Sequence, residues 1–222
     1  DSEGGVVNDP LIYRLSESKW RVCIADSDVL LFAKGIASAK KLDVNIFEAK
    51  IDVLAVQGPN SDKLMEKVFG ERINKLKFFR FDFFEFNKKT FLISRSGYSK
   101  QGGFEIHIED IEAGLNLYDH FFKIGDVFNL KPGTPNHPER IEGGLLSYGS
   151  DMDINDNPFE CGFDKYIDLE SDIIFLGKEK LIKIKENGIK KRLMGVKIEA
   201  KAISITKEIP MKNSEGKVLG QL

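Results

Sequence analysis

The phenylalanine-rich segment at residues 77–86 constrains the fold of this chain more than any other feature. Phe79, Phe81 and Phe83 alternate along it with charged residues. A period of two is typical of a β-strand with one buried face, because successive side chains of a strand point to opposite sides of the sheet. The pattern therefore predicts a strand whose buried face is formed by these three phenylalanines.

The segments around this strand extend the prediction to an antiparallel sheet. A turn at Asn87-Lys88-Lys89 leads into a second strand, and the glycine pair Gly102-Gly103 allows the sharp turn that leads into a third. Apolar alternation and turn residues together predict strands at residues 6–15, 19–25, 42–47, 53–57, 77–86, 90–94, 104–108 and 191–199, and in the final segment.

Apolar residues at helical spacing separate these strands. Ser27 stands at an N-cap position before one such series, and Gly58-Pro59 breaks the chain before another. Helices are predicted at residues 29–36, 64–69, 111–124, 138–146 and 181–185. Because strand pairs alternate with single helices, the predicted class is α+β, with antiparallel sheets and packed helices rather than a doubly wound parallel sheet.

The charge balance and the rare residue types argue against several classes of function. Among the 222 residues, 33 Lys and Arg oppose 35 Asp and Glu, whereas a protein that binds nucleic acid usually carries a basic excess. No apolar run reaches the ~18 residues that a membrane-spanning helix needs. The 2 cysteines are too few for a disulfide framework and predict a reducing, cytoplasmic setting. The 3 histidines are scattered without a ligand spacing, so no metal site is predicted.

Asp9 is the first candidate site residue. It ends an apolar segment that Gly4 and Gly5 open, and Pro10 forces an extended or turn geometry on it. One interpretation is an Asp-Pro turn that is closed by a local side-chain hydrogen bond. The other is a carboxylate that is presented at a strand end to a basic nitrogen of a ligand. The residues alone leave both interpretations open.

Glu105 is the second candidate. It stands between Phe104 and Ile106, so its carboxylate is expected on the opposite face of the strand. On the floor of a cleft, a carboxylate accepts two hydrogen bonds from an amidine-like edge, such as the N–H groups of a pterin. A solvent-facing strand glutamate is the alternative.

Two further segments combine polar residues with glycines. Arg140 precedes a glycine pair and is suited to clamp a ligand carboxylate, although a surface pair with a glutamate on its own helix is the commoner arrangement. Residues 157–163 form a turn that contains one acid, Glu160. A turn of this kind is more often structural than functional.

In this order and at these spacings, the segments resemble the aminomethyltransferase family, which includes the T-protein of the glycine cleavage system. The resemblance is carried by residues 4–9, 57–59, 95–106, 140–149, 157–163 and 175–179. It implies a three-domain cloverleaf around a central channel for tetrahydrofolate, here incomplete at both ends. Residues 1–180 would form the folate-binding region, truncated at its N-terminus, and residues 181–222 the beginning of a C-terminal β-barrel domain. The chain is accordingly expected to be an internal piece of a longer protein.

Carried over residue by residue, the resemblance implies a folate site. Asp9 would be the catalytic residue, at the N5 and N10 edge of the folate. Glu105 would bind the amino and N3 groups of the pterin, and Tyr98 would line the pterin pocket. Arg140 would contact a carboxylate of the substrate or of the folate.

Within the family, Asn8, Pro10 and residues 147–152 are most similar to the dimethylsulfoniopropionate demethylases. This similarity implies methyl transfer from that sulfonium compound to N5 of tetrahydrofolate, which gives methylmercaptopropionate and 5-methyltetrahydrofolate. The alternatives are aminomethyl transfer, O-demethylation of methoxylated aromatic acids, and the folate domain of a flavin-dependent sarcosine-type dehydrogenase. A non-catalytic folate-binding relative is disfavoured, because residues 174–179 lack the cysteine of that group's motif. The implied partners are folate and a small methyl donor, without nucleic acid or membrane, and a homodimer is compatible with the sequence.

Overall fold

A four-stranded antiparallel sheet forms the centre of the structure, a computed structural model that describes residues 1–24, 28–199 and 207–222. In chain order the strands are β1 (Leu11–Arg14), β2 (Trp20–Cys23), β3 (Asp52–Gln57), β4 (Phe81–Phe86), β5 (Lys89–Ser94), β6 (Gly103–Ile108), β7 (Pro210–Lys212) and β8 (Val218–Gln221). The helices are α1 (Val29–Ala39), α2 (Ser61–Phe69), α3 (Ile111–Gly125), α4 (His137–Glu142) and α5 (Lys178–Asn187). The predicted α+β class with antiparallel sheets is confirmed.

The central sheet has the strand order β3-β6-β5-β4, and each neighbouring pair is antiparallel. The hairpins β1–β2 and β7–β8 form separate two-stranded sheets. One face of the central sheet packs against α2 and α3, where Phe104, Ile106 and Leu117 are fully buried. Burial of apolar side chains between sheet and helices is the main favourable contribution to folding.

The buried face of β4 is opposite to the predicted one. Phe84 is 2% exposed in the core, whereas Phe83 is 48% and Phe79 42% exposed. Strand β4 begins only at Phe81, and Phe79 before it has a φ of 55°, so the alternation does not run through the whole phenylalanine-rich segment. Phe81 is partly buried on the other face of the sheet, where its ring meets Tyr13 edge-on. The predicted face of Phe79, Phe81 and Phe83 is therefore wrong.

The turn between β4 and β5 is confirmed. Asn87 has a φ of 48° and Lys88 a φ of 63°. Two successive residues with positive φ are what the tight two-residue turn of a hairpin requires, because its backbone twist then matches that of the strands.

Two of the predicted strands, at residues 42–47 and 191–199, do not form in the described structure. Leu42, Val44 and Phe47 are instead 52%, 57% and 64% exposed. Apolar alternation does not make a strand without a neighbouring strand that completes its backbone hydrogen bonds. The strands predicted at residues 6–15 and 19–25 shorten to four residues each, in β1 and β2.

The five predicted helices are present in the described residues, with longer or shorter bounds. Helix α1 begins after Asp28, and the predicted cap Ser27 lies outside the described residues. Helix α4 ends at Glu142, short of the predicted residue 146. The division into residues 1–180 and 181–222 stays a prediction.

A second, smaller core attaches the N-terminal segment to α5. Leu181 of α5 is buried in this core. Gly4 lies directly against it, since a Cβ added at Gly4 would be 3.2 Å from Leu181 Cδ2. The carboxylate of Glu3 also pairs with Lys180 at 2.9 Å. The segment that leads to Asp9 is thereby anchored at its start.

Replacing Phe84 with alanine is expected to lower the free energy of unfolding by about 3–5 kcal/mol, because the substitution leaves a cavity in the core. The matched variant Phe83→Ala removes a ring of equal size from the other face of the same strand. We expect it to cost less than about 1 kcal/mol. Urea unfolding of both variants measures the difference, and equal losses would contradict the observed facing of β4.

Candidate functional site

Glu105 lies on β6, on the face of the central sheet that points away from the main core. Phe104 and Ile106 on either side of it are fully buried against the helices, so its side chain takes the opposite direction, as the alternation predicts. In the described part of the chain its carboxylate accepts one side-chain hydrogen bond, from the hydroxyl of Ser96. Glu105 is therefore an oriented acceptor with capacity for further hydrogen bonds.

Gln57, at the end of β3, holds the loop between β5 and β6. Its Nε2 donates to the backbone oxygens of Ser96 at 3.0 Å and Phe104 at 3.1 Å. Its Oε1 accepts a hydrogen bond from Ser99 Oγ at 2.8 Å. Gly97 leaves room for this arrangement, because a Cβ there would lie 2.0 Å from Gln57 Oε1 and would displace the Gln57 side chain. Gln57 thus holds the loop between β5 and β6 in place through hydrogen bonds, a role that the sequence analysis did not assign.

Tyr98 extends from this loop to the segment after α4. Its hydroxyl donates to the backbone oxygen of Leu146 at 2.8 Å, and the residue is 37% exposed. Lys100 of the same loop donates to the backbone oxygen of Gly143 at 2.7 Å. Burial raises the pKa of the Tyr98 phenol, although nearby Arg140 acts in the opposite direction. Tyr98 is therefore a neutral aromatic side chain that presents part of its surface to solvent.

Asp9 is placed by an N-terminal segment that lies very close to a neighbouring loop. The N–H of Val6 donates to the backbone oxygen of Asp156 at 2.8 Å. A Cβ on Gly5 would lie 2.2 Å from the backbone oxygen of Ile154, so the segment can lie there only with glycine. Asp9 is exposed as a whole residue, yet the protein around its carboxyl raises the pKa of that group through burial.

The Asn8 side chain makes a local hydrogen bond to the residue that precedes Pro10. Its Oδ1 accepts from the backbone N–H of Asp9 at 2.9 Å. Its Nδ2 is buried and has no hydrogen-bond partner among the described residues. A buried donor without a partner is costly in a folded protein, which makes this amide a candidate for contact with a ligand.

Arg140 is buried, in contrast to the surface pair considered from the sequence. It is 5% exposed, and its Nη1 donates to the carboxylate of Asp151 and to the backbone oxygen of Leu145 at 3.3 Å. Asp151 also accepts from the N–H of Ser147 at 2.7 Å. The Nε of Arg140 is buried and unpartnered among the described residues. The pair fastens α4 to the chain that follows it, and contact of Arg140 with a ligand stays a prediction.

The loop between β5 and β6 links the candidate residues. Tyr98 lies within electrostatic reach of both Arg140 and Asp9, since each affects the pKa of its phenol. Glu105 is connected to the same loop through Ser96, just before Tyr98. Among the described residues no hydrogen bond joins Asp9 to Glu105, so the catalytic and pterin-binding candidates are not direct partners.

The turn at residues 157–163 has the structural role that its sequence favours. Asn157 Oδ1 accepts from the backbone N–H groups of Phe159 and Glu160, both at 3.1 Å. The Glu160 carboxylate accepts in return from the N–H of Asn157 at 3.2 Å. Burial raises the pKa of Cys161 to about 11, which keeps this thiol protonated and poorly nucleophilic.

Two further features are absent from the described residues. No group of three or more His, Cys, Asp and Glu side chains there is placed to hold a metal ion. Within the same residues, no helix combines the length and the apolar character that crossing a membrane demands.

Other residues of the site region also escaped the sequence analysis. Tyr13 and Ser94 lie behind Glu105, and Asp151 pairs with Arg140. One signal for Ser94 was available, since the alternation of β5 places it on the same sheet face as Glu105, its direct neighbour in the register. No local signal indicated Tyr13 or Asp151. The partner of Tyr13 lies in a distant part of the chain, and no periodic pattern of residues connects Asp151 with Arg140.

Comparison with known proteins identifies the family. The family described as the GCVT N-terminal domain matches residues 1–171. The dimethylsulfoniopropionate demethylase DmdA of Ruegeria pomeroyi is 40% identical over 210 residues, which cover 95% of this chain and 55% of that protein. An aminomethyltransferase of Thermoanaerobacter pseudethanolicus is 30% identical over 201 residues, which cover 86% of this chain and 53% of that protein.

A solved structure shares the fold. The crystal structure of the glycine cleavage system aminomethyltransferase T from Bartonella henselae superposes with a TM-score of 0.66 and 20% identity, covering 85% of this chain and 51% of that chain. The present chain thus spans about half the length of the relatives that it matches. Since the GCVT N-terminal domain matches most of its residues, the resemblance noted in the sequence is confirmed, and the chain belongs to the GCVT aminomethyltransferase family.

Proposed function

We propose that this chain carries the folate site of a tetrahydrofolate-dependent methyltransferase. The enzyme would move a methyl group from dimethylsulfoniopropionate to N5 of tetrahydrofolate, giving methylmercaptopropionate and 5-methyltetrahydrofolate. The observation that carries the proposal is the Glu105 carboxylate, which Ser96 orients on the face of the central sheet that points away from the main core. The choice of methyl donor is supported by 40% identity to a dimethylsulfoniopropionate demethylase, against 30% to an aminomethyltransferase.

The groups around Glu105 fit the pterin of a folate. The amino and N3 groups of a pterin donate hydrogen bonds, and an ionised glutamate only accepts them. Among the described residues Ser96 uses the Oε2 of Glu105, which leaves Oε1 for a ligand. Hydrogen bonds to a charged acceptor are roughly twice as strong as those between neutral groups. We therefore give Glu105 the role of pterin acceptor and Tyr98 that of a pocket wall.

Asp9 is the proposed catalytic residue. N5 of tetrahydrofolate forms the new bond to the methyl group as the methyl–sulfur bond of the sulfonium breaks, with its electron pair moving to sulfur, so that a neutral thioether leaves. The positively charged N5 then releases its proton to water, which gives 5-methyltetrahydrofolate. The Asp9 carboxylate stabilises the positive charge that develops beside it during the transfer. Holding the two reactants in line contributes about 7–11 kcal/mol to lowering such a barrier. In this proposal Asp9 stabilises charge, and the surrounding residues orient the two reactants.

Arg140 is proposed to contact a carboxylate of the folate or of the methyl donor. Asp151 holds its guanidinium in place. The buried Nε, which has no partner among the described residues, is the N–H group that such a contact would use. A guanidinium that is already oriented loses little further freedom when it binds a carboxylate.

Aminomethyl transfer to the same folate is the second candidate. It is supported by the 30% identity to an aminomethyltransferase. Glu105 and Tyr98 would serve this reaction equally, because both reactions use the same pterin. The two functions therefore differ at the donor and not at the folate acceptor.

The direct test incubates the full-length protein with tetrahydrofolate and dimethylsulfoniopropionate without oxygen and follows the products by mass spectrometry. Equal amounts of 5-methyltetrahydrofolate and methylmercaptopropionate are expected. If folate binds but no methyl group is transferred, the donor assignment fails. An aminomethyl-loaded carrier protein and methoxylated aromatic acids are then the donors to compare.

Glu105→Gln is expected to weaken tetrahydrofolate binding by about 10-fold or more. The substitution replaces the carboxylate by a neutral amide, which has one oxygen fewer to accept hydrogen bonds from the pterin N–H groups. Glu85→Gln, at an exposed glutamate of the edge strand β4, is the matched control. Isothermal titration calorimetry measures both affinities. An unchanged affinity in Glu105→Gln would rule out its role as pterin acceptor.

Asp9→Asn is expected to lower turnover about 100-fold, since the charge that stabilises the transfer is lost. Tetrahydrofolate affinity is expected to change little. In the parent protein, turnover should fall as the pH drops through the pKa of Asp9, which burial raises, so the fall should occur at a higher pH than for an ordinary aspartate. Stopped-flow turnover measured across pH tests both statements, and a variant that keeps full turnover would contradict the catalytic role.

A further inference from the structure

A line of three buried hydroxyl groups runs from the β1–β2 hairpin to Glu105. The phenol oxygen of Tyr13 lies 3.2 Å from Ser94 Oγ, which lies 2.7 Å from Ser96 Oγ. Ser96 in turn hydrogen-bonds to Glu105 Oε2. Tyr13 is 4%, Ser94 2% and Ser96 4% exposed. Buried hydroxyls need partners inside the protein, and these three find them in one another and in the carboxylate.

The charge of Glu105 fixes the direction of the hydrogen bonds in this line. An ionised carboxylate only accepts, so Ser96 donates its single hydroxyl proton to Glu105. The 2.7 Å contact between the serines is then a hydrogen bond only if Ser94 donates. The alternative acceptor for Ser94, the backbone oxygen of Glu105, lies at 3.4 Å and competes poorly. Ser94 therefore accepts from Tyr13, and all three protons point toward the carboxylate.

Tyr13 closes the far end of the line. Its ring packs edge-on against Phe81, with 5.4 Å between centroids, and against His107, with 5.0 Å. Burial raises the pKa of the Tyr13 phenol, so the group stays protonated and remains a donor. Burial also lowers the pKa of His107 to about 4, which leaves this neighbouring ring neutral near pH 7. Neither the Tyr13 phenol nor the His107 ring therefore opposes the direction of the hydrogen bonds that the Glu105 carboxylate sets.

We propose that Ser96, Ser94 and Tyr13 are positioning residues for folate recognition. They hold the Glu105 carboxylate so that its other oxygen can accept hydrogen bonds from the N–H groups of a pterin. The inference rests on the proposed function, in which Glu105 is the pterin acceptor. Ser94 stands directly opposite Glu105 in the β5–β6 register, so the sheet itself sets the spacing. Successive hydrogen bonds with one direction also polarise and strengthen one another.

Ser96→Ala is expected to weaken tetrahydrofolate binding about tenfold, because the carboxylate loses the hydrogen bond that orients it. Ser96→Thr keeps a hydroxyl and should restore most of the affinity. Tyr13→Phe removes the last donor of the line and should cost about threefold. Ser61→Ala, at a 7% exposed serine of α2 outside the line, is the matched control and should leave the affinity unchanged. Calorimetry on the full-length protein measures each affinity, and thermal unfolding verifies that each variant folds.

The double variant Ser96→Ala with Glu105→Gln separates positioning from a merely structural role. If Ser96 acts through Glu105, adding Ser96→Ala to the Glu105→Gln variant should weaken tetrahydrofolate binding by less than about a further twofold. If the two substitutions reduce tetrahydrofolate affinity additively, the inference is overturned. It is also overturned if Ser96→Ala binds tetrahydrofolate normally while Glu105→Gln binds it more weakly. If Glu105→Gln itself binds tetrahydrofolate normally, the proposed role of Glu105 fails and the inference falls with it. Should Ser96→Ala not fold, the same cycle with Tyr13→Phe decides.

Discussion

The packing of the central sheet against α2 and α3 is the interaction on which the candidate site depends. Phe104 and Ile106 are fully buried in it and so fix the direction in which each residue of β6 points. A shift of the strand by one residue would exchange its faces and move Glu105 into the apolar core. An unpaired charge there costs several kcal/mol, so the register is strongly held. Apolar burial thus decides where the carboxylate stands as well as stabilising the fold.

Close approaches of backbone and side chain hold the other candidate segments in place. Gly97 allows Gln57 to reach beneath the loop that carries Tyr98, and Gly5 allows the N-terminal segment to lie against Ile154. A Cβ at Gly5 would overlap backbone, whereas a Cβ at Gly97 would push the end of the Gln57 side chain out of its hydrogen bonds. The ion pair of Arg140 with Asp151 adds a third attachment, because the buried guanidinium keeps its partner only while α4 and the following turn stay together. The site is therefore assembled from segments that are distant in sequence.

Sequence patterns predicted what depends on near neighbours and missed what depends on distant ones. The direction of Glu105 follows from the two apolar residues beside it. The facing of β4 could not be predicted in the same way, because each face of that strand carries two phenylalanines. The segment at residues 42–47 has the pattern of a strand but no strand beside it. Tyr13 and Ser94 are 81 positions apart, and neither has a neighbour that indicates the other. Family resemblance supplied the candidate residues by position, while the contacts that orient them came from the structure.

The way in which polar groups are used agrees with a reaction that needs orientation more than proton transfer. Gln57 and Lys100 use their hydrogen bonds to hold backbone, and Ser96 uses its own to hold Glu105. A sulfonium methyl is already activated, because its leaving group departs as a neutral thioether. For such a donor, fixed alignment of the reacting atoms is the larger contribution that a protein can make. A site built mainly from positioning contacts, with Asp9 in its proposed electrostatic role, would meet what that chemistry requires of the folate side.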